Sequence, residues 1–116
     1  MAITAPNQLE LIEIADPIPG NSEVVVEVAA VGICGTDLHI FEGEFAPKLP
    51  IVPGHEMSGE VVAIGSAVTG IQVGDRVAVD PSLHCGECFY CRRARGNLCE
   101  NWNALGVTFP GAAGIS

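Results

Sequence analysis

The stretch IVPGHEMSGEVVAIG, residues 51–65, places a histidine and a glutamate between a proline turn and an apolar run. Its second half, GEVVAIG at 59–65, has the β-branched content of a strand. Gly54 directly precedes His55 and Glu56, and both of these residue types bind metal ions in proteins. The stretch therefore predicts a strand that begins beside a polar site, whose other members have to come from elsewhere in the chain.

Length and composition describe one small domain that is rich in turns. The chain has 116 residues, of which 48% are hydrophobic and 16% charged, and it contains 14 glycines and 8 prolines. These values indicate a globular protein with one modest core, and they favour a β-rich fold over a helical bundle. The formal net charge of −9 argues against nucleic acids and anionic membranes as partners, because such surfaces attract basic proteins.

The sequence carries no signal for export or membrane insertion. Its apolar runs are all shorter than the ~20 residues that a membrane-spanning helix requires. The first ten residues, MAITAPNQLE, contain neither the basic region nor the apolar core of a secretory signal. The cytoplasm is therefore the expected compartment, and there clustered cysteines bind metal more often than they form disulfides.

The remaining pattern predicts short strands separated by glycine and proline turns. Alternating or β-branched runs mark these strands at residues 9–15, 24–33, 59–65, 76–80 and 106–110. Residues 34–43 are expected to hold one short helical turn. Many strands without strand–helix alternation predict a mainly β fold, a small barrel. No two glycines stand two residues apart, so the G-x-G-x-x-G fingerprint of a dinucleotide-binding unit is absent.

Four of the five cysteines share one loop with the spacing of metal ligands. Cys85, Cys88, Cys91 and Cys99 form the pattern Cys-x2-Cys-x2-Cys-x7-Cys. The two-residue gaps let successive thiolates converge on one ion, and the longer excursion brings in a fourth to complete a tetrahedron. We predict a structural zinc site with zinc–sulfur distances of about 2.3 Å. Alternatives are a pair of disulfides, four free thiols in a loop, a redox pair, or a site for iron or an iron–sulfur cluster. His84 adjoins the cysteines and is a candidate substitute ligand.

The fifth cysteine, Cys34, begins the segment CGTDLH at residues 34–39. A lone cysteine after an apolar strand is most often a small buried hydrophobic residue. This segment, however, places a thiol, a hydroxyl, a carboxylate and an imidazole within six residues. Together with His55 and Glu56, Cys34 can supply the ligands of a catalytic zinc site that keeps one position open for water or substrate.

Four motifs, in this order, resemble those of the zinc-dependent medium-chain alcohol dehydrogenases, in particular the polyol and threonine dehydrogenase branches. They are CGTDLH at 34–39, GHEMSGEVVAIGSAV at 54–68, VGDRV at 73–77 and HCGECFYCRRARGNLC at 84–99. The resemblance covers residues 9–105. It implies that residues 1–116 form a GroES-like barrel, the N-terminal part of the catalytic domain, with a structural zinc lobe at about 81–105.

The resemblance also implies a role for each residue of the catalytic zinc site. Cys34 and His55 would ligate the zinc. Glu56 would be a close neighbour that ligates directly in some members of the family and exchanges with water in others. Asp37 would accept a hydrogen bond from the imidazole of His55 and so orient it, a common arrangement for a zinc-bound histidine.

The implied reaction is the oxidation of an alcohol or polyol to an aldehyde or ketone, by formation of a zinc alkoxide and hydride transfer to NAD or NADP. Thr36 would accept the alcohol proton and pass it towards His39 or solvent. From spacing alone, Thr36 and Asp37 are equally candidates for helix caps and His39 for a surface histidine. Full members of the family also carry a Rossmann domain, so no cofactor-binding residues are expected in this chain. The full-length protein is expected to be a homo-oligomer.

Two other classes of function fit the residues without the resemblance. The chain could be a non-enzymatic structural zinc-binding module, in which the four-cysteine loop holds the only metal and Cys34 is inert. It could also be a binding barrel, an interpretation that rests on fold analogy alone. Metal content distinguishes the first alternative from the enzyme, because the enzyme predicts two zinc ions per chain and the module predicts one.

Overall fold

The fold is described here from a computed structural model that covers residues 1–44 and 48–112. Within these ranges the elements are β1 (Ala2–Ala5), β2 (Gln8–Glu10), β3 (Val24–Gly32), α1 (Gly35–Phe41), β4 (Glu56–Ile64), β5 (Arg76–Ala78), β6 (Ser82–Leu83) and β7 (Asn103–Ala104). Two short 3-10 helices lie at Cys91–Arg93 and Gly96–Leu98. The mainly β class predicted from the sequence is confirmed. No helix in the described ranges is long and apolar enough to cross a membrane.

The strands pair as three antiparallel sheets, β1–β2, β3–β4–β5 and β6–β7. In the central sheet, β3 pairs with β4 from Val24 opposite Ile64 to Gly32 opposite Glu56. Because the two strands are antiparallel, the end of β3 and the start of β4 lie at the same end of the sheet. The chain that follows β3 and the chain that precedes β4 are therefore brought side by side.

A small apolar core fixes α1 against the segment that precedes β4. Ile3, Ile40 and Ile51 form one cluster, each with at most 5% of its surface exposed. Ile3 and Ile51 also exchange two backbone hydrogen bonds of 2.7 and 3.0 Å. Burial of each isoleucine contributes about 1.5–3 kcal/mol. Since Ile40 lies on α1 and Ile51 lies four residues before His55, this core positions both segments relative to each other.

Helix α1 is capped at both ends. Cys34 is extended, with φ −102° and ψ 159°, and its backbone N–H donates to Asp37 Oδ2 at 3.0 Å. The helix ends at Phe41, and two residues later Gly43 turns the chain away with a φ of 96°, which glycine adopts readily, while its N–H donates to Ile40 O at 3.1 Å. The sequence predicted one helical turn at 34–43, whereas the helix has seven residues, because these caps and the burial of Ile40 support two turns.

The strand predicted at residues 9–15 is wrong beyond Glu10, where β2 ends. Its alternating pattern needs a partner strand, and no strand in the described part of the chain pairs with residues 11–15. Leu11, an apolar position of that pattern, is 84% exposed as a result. By contrast, the strands predicted at 24–33 and 59–65 are confirmed as β3 and β4.

The strand predicted at residues 106–110 is also wrong, because this segment is a turn. Gly106 has a φ of 76°, and the N–H groups of Thr108 and Phe109 both donate to Ala104 O, at 2.9 and 3.0 Å. Thr108 Oγ1 in turn accepts a hydrogen bond from Ala104 N–H at 2.8 Å. These local hydrogen bonds close a turn directly after β7 and leave no extended backbone for a strand.

Candidate metal centres

The end of the central sheet gathers the first candidate metal centre. One ligand atom from each of Cys34, His55 and Glu56 lies within 4.8 Å of the other two. Cys34 stands two residues after β3, and His55 stands one residue before β4, so the antiparallel pairing brings the thiol and the imidazole together. The structure thus groups the three residues that the sequence singled out for a catalytic zinc, and their ligation stays a prediction.

The carboxylate of Asp37 ties the two halves of this centre together. Its Oδ2 accepts the Cys34 N–H at 3.0 Å, and its Oδ1 accepts the Gly54 N–H at 3.2 Å. The same Oδ1 lies 3.4 Å from His55 Nδ1, and the side chains of Asp37 and His55 are only 13% and 14% exposed. Asp37 therefore binds the backbone of both arms of the centre, the arm after β3 that carries Cys34 and the arm before β4 that carries His55. It also faces the imidazole, which supports the orienting role predicted for it.

The residues of this centre fit a zinc ion. His55 Nδ1 is buried and makes no hydrogen bond, although Asp37 Oδ1 lies only 3.4 Å away. Buried polar atoms are normally paired, and a small closure of this gap would let Nδ1–H donate to Asp37. That tautomer leaves the lone pair on Nε2, which is the arrangement of a metal-bound histidine backed by a carboxylate. A thiol, an imidazole and a carboxylate form a donor set that suits catalytic zinc.

Gly54 sets the direction in which the chain enters His55. Its φ of 95° lies in the left-handed region, where a side chain would strain the backbone. Both polar groups of its backbone are used, because the N–H donates to Asp37 and the C=O accepts the Ala112 N–H at 3.1 Å. The glycine of the Gly-His-Glu motif is therefore required by local geometry.

Glu56 is the exposed member of this centre. It begins β4 directly opposite Gly32, the last residue of β3. A Cβ atom placed on Gly32 would stand 2.5 Å from Glu56 Oε2, so the glutamate side chain lies across the space that this glycine leaves open. This position keeps the carboxylate close to Cys34 while its other side faces solvent.

The two residues predicted to move the proton lie in different surroundings. Thr36 is half-buried, and its Oγ1 is 3.8 Å from Cys34 Sγ, so its hydroxyl lies beside the candidate centre. His39 is exposed near the end of α1, and its Nδ1 lies 2.9 Å from Glu44 Oε2. With Glu42 these two residues form an exposed group, of a kind that is common on protein surfaces without a metal. The catalytic roles of Thr36 and His39 stay predictions.

The second candidate centre is the cysteine lobe, residues 81–105. The sulfur atoms of Cys85, Cys88, Cys91 and Cys99 all lie within 4.8 Å of one another. All five cysteines of the chain are free, and the 3.9 Å between Cys85 Sγ and Cys91 Sγ is far from a disulfide bond. A tetrahedral zinc with zinc–sulfur distances of about 2.3 Å places its sulfurs about 3.8 Å apart. The spacing of these thiols therefore fits one zinc ion.

Backbone N–H groups point at the sulfurs and shift the acidity of the thiols. Hydrogen bonds from the N–H groups of Glu87 and Cys88 lower the pKa of Cys85 to about 6. The pKa of Cys88 is lowered as well, chiefly by backbone hydrogen bonds from Cys91 and Glu100. Desolvation raises the pKa of Cys91 to about 12. The loop thus stabilises two of the thiolates before any metal binds, which favours metal capture at neutral pH.

The base of the cysteine lobe is clamped by a strand pair that the sequence did not predict. In β6 and β7, Ser82 lies opposite Ala104 and Leu83 lies opposite Asn103. The Leu105 N–H extends the pairing by donating to Pro81 O at 3.0 Å. Strands of two residues carry no usable periodicity, so the sequence predicted only a loop here.

The described residues thus form a small, mainly β domain with two groups of side chains that could each hold a metal ion. Residues 20–115 match the family described as the alcohol dehydrogenase GroES-like domain, and the chain belongs to this family. The resemblance drawn from four sequence motifs is thereby confirmed.

Several relatives are named dehydrogenases. L-threonine 3-dehydrogenase of Saccharopolyspora erythraea is 53% identical over 108 residues, which are 90% of this chain and 32% of the relative. D-arabinitol dehydrogenase 1 of Uromyces fabae is 43% identical over 106 residues, which are 91% of this chain and 30% of the relative. The chain spans about a third of the length of these curated relatives.

A similar fold is found in a crystal structure of an alcohol dehydrogenase from Escherichia coli that was solved with NADH. The two chains are 44% identical and superpose with a TM-score of 0.88. The match covers 95% of this chain and 32% of the bacterial enzyme. The fold of this chain is therefore that of one domain within a larger dehydrogenase chain.

Proposed function

We propose that the chain is the zinc-binding part of an NAD- or NADP-dependent dehydrogenase that oxidises alcohols or polyols to aldehydes or ketones. The observation that carries this proposal is the first centre, in which Cys34, His55 and Glu56 converge within 4.8 Å and Asp37 contacts both arms. The names of the relatives, a threonine and an arabinitol dehydrogenase, support a substrate with a hydroxyl group. The NADH in the Escherichia coli structure supports a nicotinamide cofactor.

Zinc held by Cys34 and His55 would act as a Lewis acid and lower the pKa of an alcohol hydroxyl bound beside it. Asp37 Oδ1, 3.4 Å from His55 Nδ1, would accept the Nδ1–H of the metal-bound imidazole and so favour the tautomer that leaves Nε2 free. Thr36 Oγ1, 3.8 Å from Cys34 Sγ, is placed to accept the proton of the alcohol and pass it on. The exposed imidazole of His39 can then exchange that proton with solvent.

The nicotinamide that accepts the hydride would be bound by a part of the enzyme outside this chain. The sequence lacks the G-x-G-x-x-G fingerprint, and the relatives are about three times as long as this chain. We therefore expect the 116 residues to bind zinc and to need a nucleotide-binding domain for turnover. The four-cysteine lobe would hold a second, structural zinc. A cytoplasmic location and a homo-oligomeric full-length enzyme stay predictions.

The test is the metal content of the chain and of two paired variants. We expect two zinc ions per chain in the wild type, measured by elemental analysis after removal of loosely bound metal. Cys34→Ser should lower the content to one, because it removes a ligand of the first centre. Cys88→Ser should also lower it to one, by emptying the other site. Two ions in Cys34→Ser would refute the assignment of Cys34, and one ion in the wild type would favour the structural module.

A further inference from the structure

The segment at 104–112 packs against the backbone of the residues that precede His55. Its Gly111 N–H donates to Val52 O at 2.6 Å, and its Ala112 N–H donates to Gly54 O at 3.1 Å. These two hydrogen bonds attach the segment to the last residues before His55. The segment is itself anchored, because it follows β7 at the base of the cysteine lobe and is closed by the turn on Ala104 O.

Two glycines bring this segment into backbone contact with Gly54. A Cβ atom on Gly106 would lie 2.6 Å from Gly54 O and 2.7 Å from its carbonyl carbon. A Cβ atom on Gly111 would press against Gly54 O as well and would lie 2.5 Å from Pro53 O. Because these neighbours are backbone atoms, a methyl group at either position would force apart the 104–112 segment and the backbone that leads into His55.

The position of this peptide decides where the imidazole sits. The N–H of Gly54 donates to Asp37, and its C=O accepts the Ala112 N–H, so the peptide groups on both sides of Gly54 are held. A displacement of Gly54 would disturb the hydrogen bond to Asp37 and shift His55 relative to Cys34. Metal binding is sensitive to such contacts, since loss of a group that orients a ligand typically weakens affinity by about 10–100-fold.

We propose that Gly106 and Gly111 are positioning residues for the candidate centre of Cys34, His55 and Glu56. They act by letting the segment at 104–112 pack against Gly54 and lock the approach to His55. The inference rests on the proposed function, because it requires that this centre bind a metal ion. It adds a support for the centre that lies about 50 residues from His55 along the chain and was not evident from the motifs.

The first test is a cobalt titration of the 116-residue chain carrying Gly106→Ala or Gly111→Ala. Gly70→Ala is the matched control, because Gly70 has a φ of 81°, close to the 76° of Gly106, but a Cβ atom there would have no neighbouring atom within 4 Å. Gly70→Ala and Gly106→Ala both impose backbone strain, and of this pair Gly106→Ala alone also crowds Gly54. We expect at least tenfold weaker affinity for the cobalt ion at the centre of Cys34, His55 and Glu56 in the two test variants, and a change of less than twofold in the control.

The absorption of thiolate-bound cobalt separates positioning from a general loss of folding. If Gly106 and Gly111 are positioning residues, their alanine variants should bind cobalt in the four-cysteine lobe as the wild type does. The spectrum and the affinity of the cobalt ion at the centre of Cys34, His55 and Glu56 should change. Equal weakening of both ions in Gly106→Ala and Gly111→Ala would show a merely structural role and would overturn the proposal. Wild-type affinity for both ions in these variants would overturn it as well.

A second measurement uses the wild-type chain and covers the case in which the variants do not fold. Hydrogen exchange at the Gly54 and Ala112 amides is followed with the cysteine lobe filled, before and after a metal ion is added to the centre of Cys34, His55 and Glu56. We expect at least fivefold slower exchange on binding, and no change in Cys34→Ser. If the second ion binds and leaves both exchange rates unchanged, the positioning role alone is refuted. If the wild type binds a single ion, the proposed catalytic centre and this inference both fail.

Discussion

The two candidate metal centres are built in opposite ways. The cysteine lobe draws all four ligands from the segment at 85–99, and N–H groups of the same segment point at the sulfurs. The other centre draws Cys34 and His55 from two segments separated by 20 residues, which are brought together by the pairing of β3 with β4, by the isoleucine core and by Asp37. Local spacing thus encodes the lobe, whereas the tertiary fold encodes the centre of Cys34, His55 and Glu56. The lobe should therefore depend on its cysteines, and the other centre should depend on the contacts that hold its arms.

The largest effect is expected from Cys99→Ser, which removes the one buried ligand of the lobe. Binding of a structural zinc contributes about 10–16 kcal/mol in small zinc domains, so the loss of a ligand should empty this site and unfold the loop. We expect the zinc content to fall from two to one and the thermal midpoint to drop further than in Cys34→Ser. A midpoint that falls equally in both variants would contradict the proposed difference between the centres.

The thiols of the metal-free lobe should differ in reactivity by roughly a hundredfold at pH 7, with Cys85 faster than Cys91. The pKa of Cys85 is about 6, so its thiolate predominates above that pH and its alkylation should slow as the pH falls through 6. The pKa of Cys91 is about 12, so this thiol stays protonated and slow. Peptide mapping after brief iodoacetamide treatment measures both rates. The urea-unfolded chain is the control, in which the rates should converge.

Asp37→Asn should weaken the centre of Cys34, His55 and Glu56 by about 10–100-fold and leave the lobe unchanged. The asparagine offers one oxygen and one NH2 group in place of two carboxylate oxygens, so either Cys34 N–H or Gly54 N–H loses its acceptor. The imidazole of His55 also loses a negatively charged neighbour. Competition with a chromophoric zinc chelator measures both affinities in one titration. Unchanged binding at this centre would show that Asp37 serves only as the cap of α1.

Much of this difference is visible in the sequence. The cysteine spacing alone predicted the lobe, because ligands a few residues apart need no tertiary information to converge. The long strands β3 and β4 were also predictable from their β-branched runs. The prediction of a strand at residues 9–15 was wrong beyond Glu10, because an alternating pattern does not reveal whether a partner strand is available. The prediction of a strand at residues 106–110 was wrong, because the hydrogen bonds to Ala104 outweigh the strand propensity of Val107 and Phe109.

Predicting the centre of Cys34, His55 and Glu56 required the resemblance to the alcohol dehydrogenase family as well as the residue types themselves. Nothing in the spacing of Cys34 and His55 requires them to meet, since 20 residues separate them and the pairing register decides the outcome. The packing of Gly106 and Gly111 against Gly54 was beyond sequence reasoning, because a glycine gives no sign of which backbone it approaches. His39 shows the reverse case, in which a residue singled out by its motif lies on the surface beside Glu44.

The smallest effect is expected from Glu56→Gln. Glu56 is exposed, and its carboxylate reaches the centre across Gly32. A screened charge of this kind contributes about 1 kcal/mol, so we expect roughly fivefold weaker zinc affinity, less than for Asp37→Asn. Glu60→Gln is the matched control, because Glu60 is an exposed glutamate on the same strand and outside the centre. A loss of affinity as large as that of His55→Ala would show that Glu56 is a full ligand. No loss relative to the control would leave Cys34 and His55 as the two protein ligands supplied by this domain.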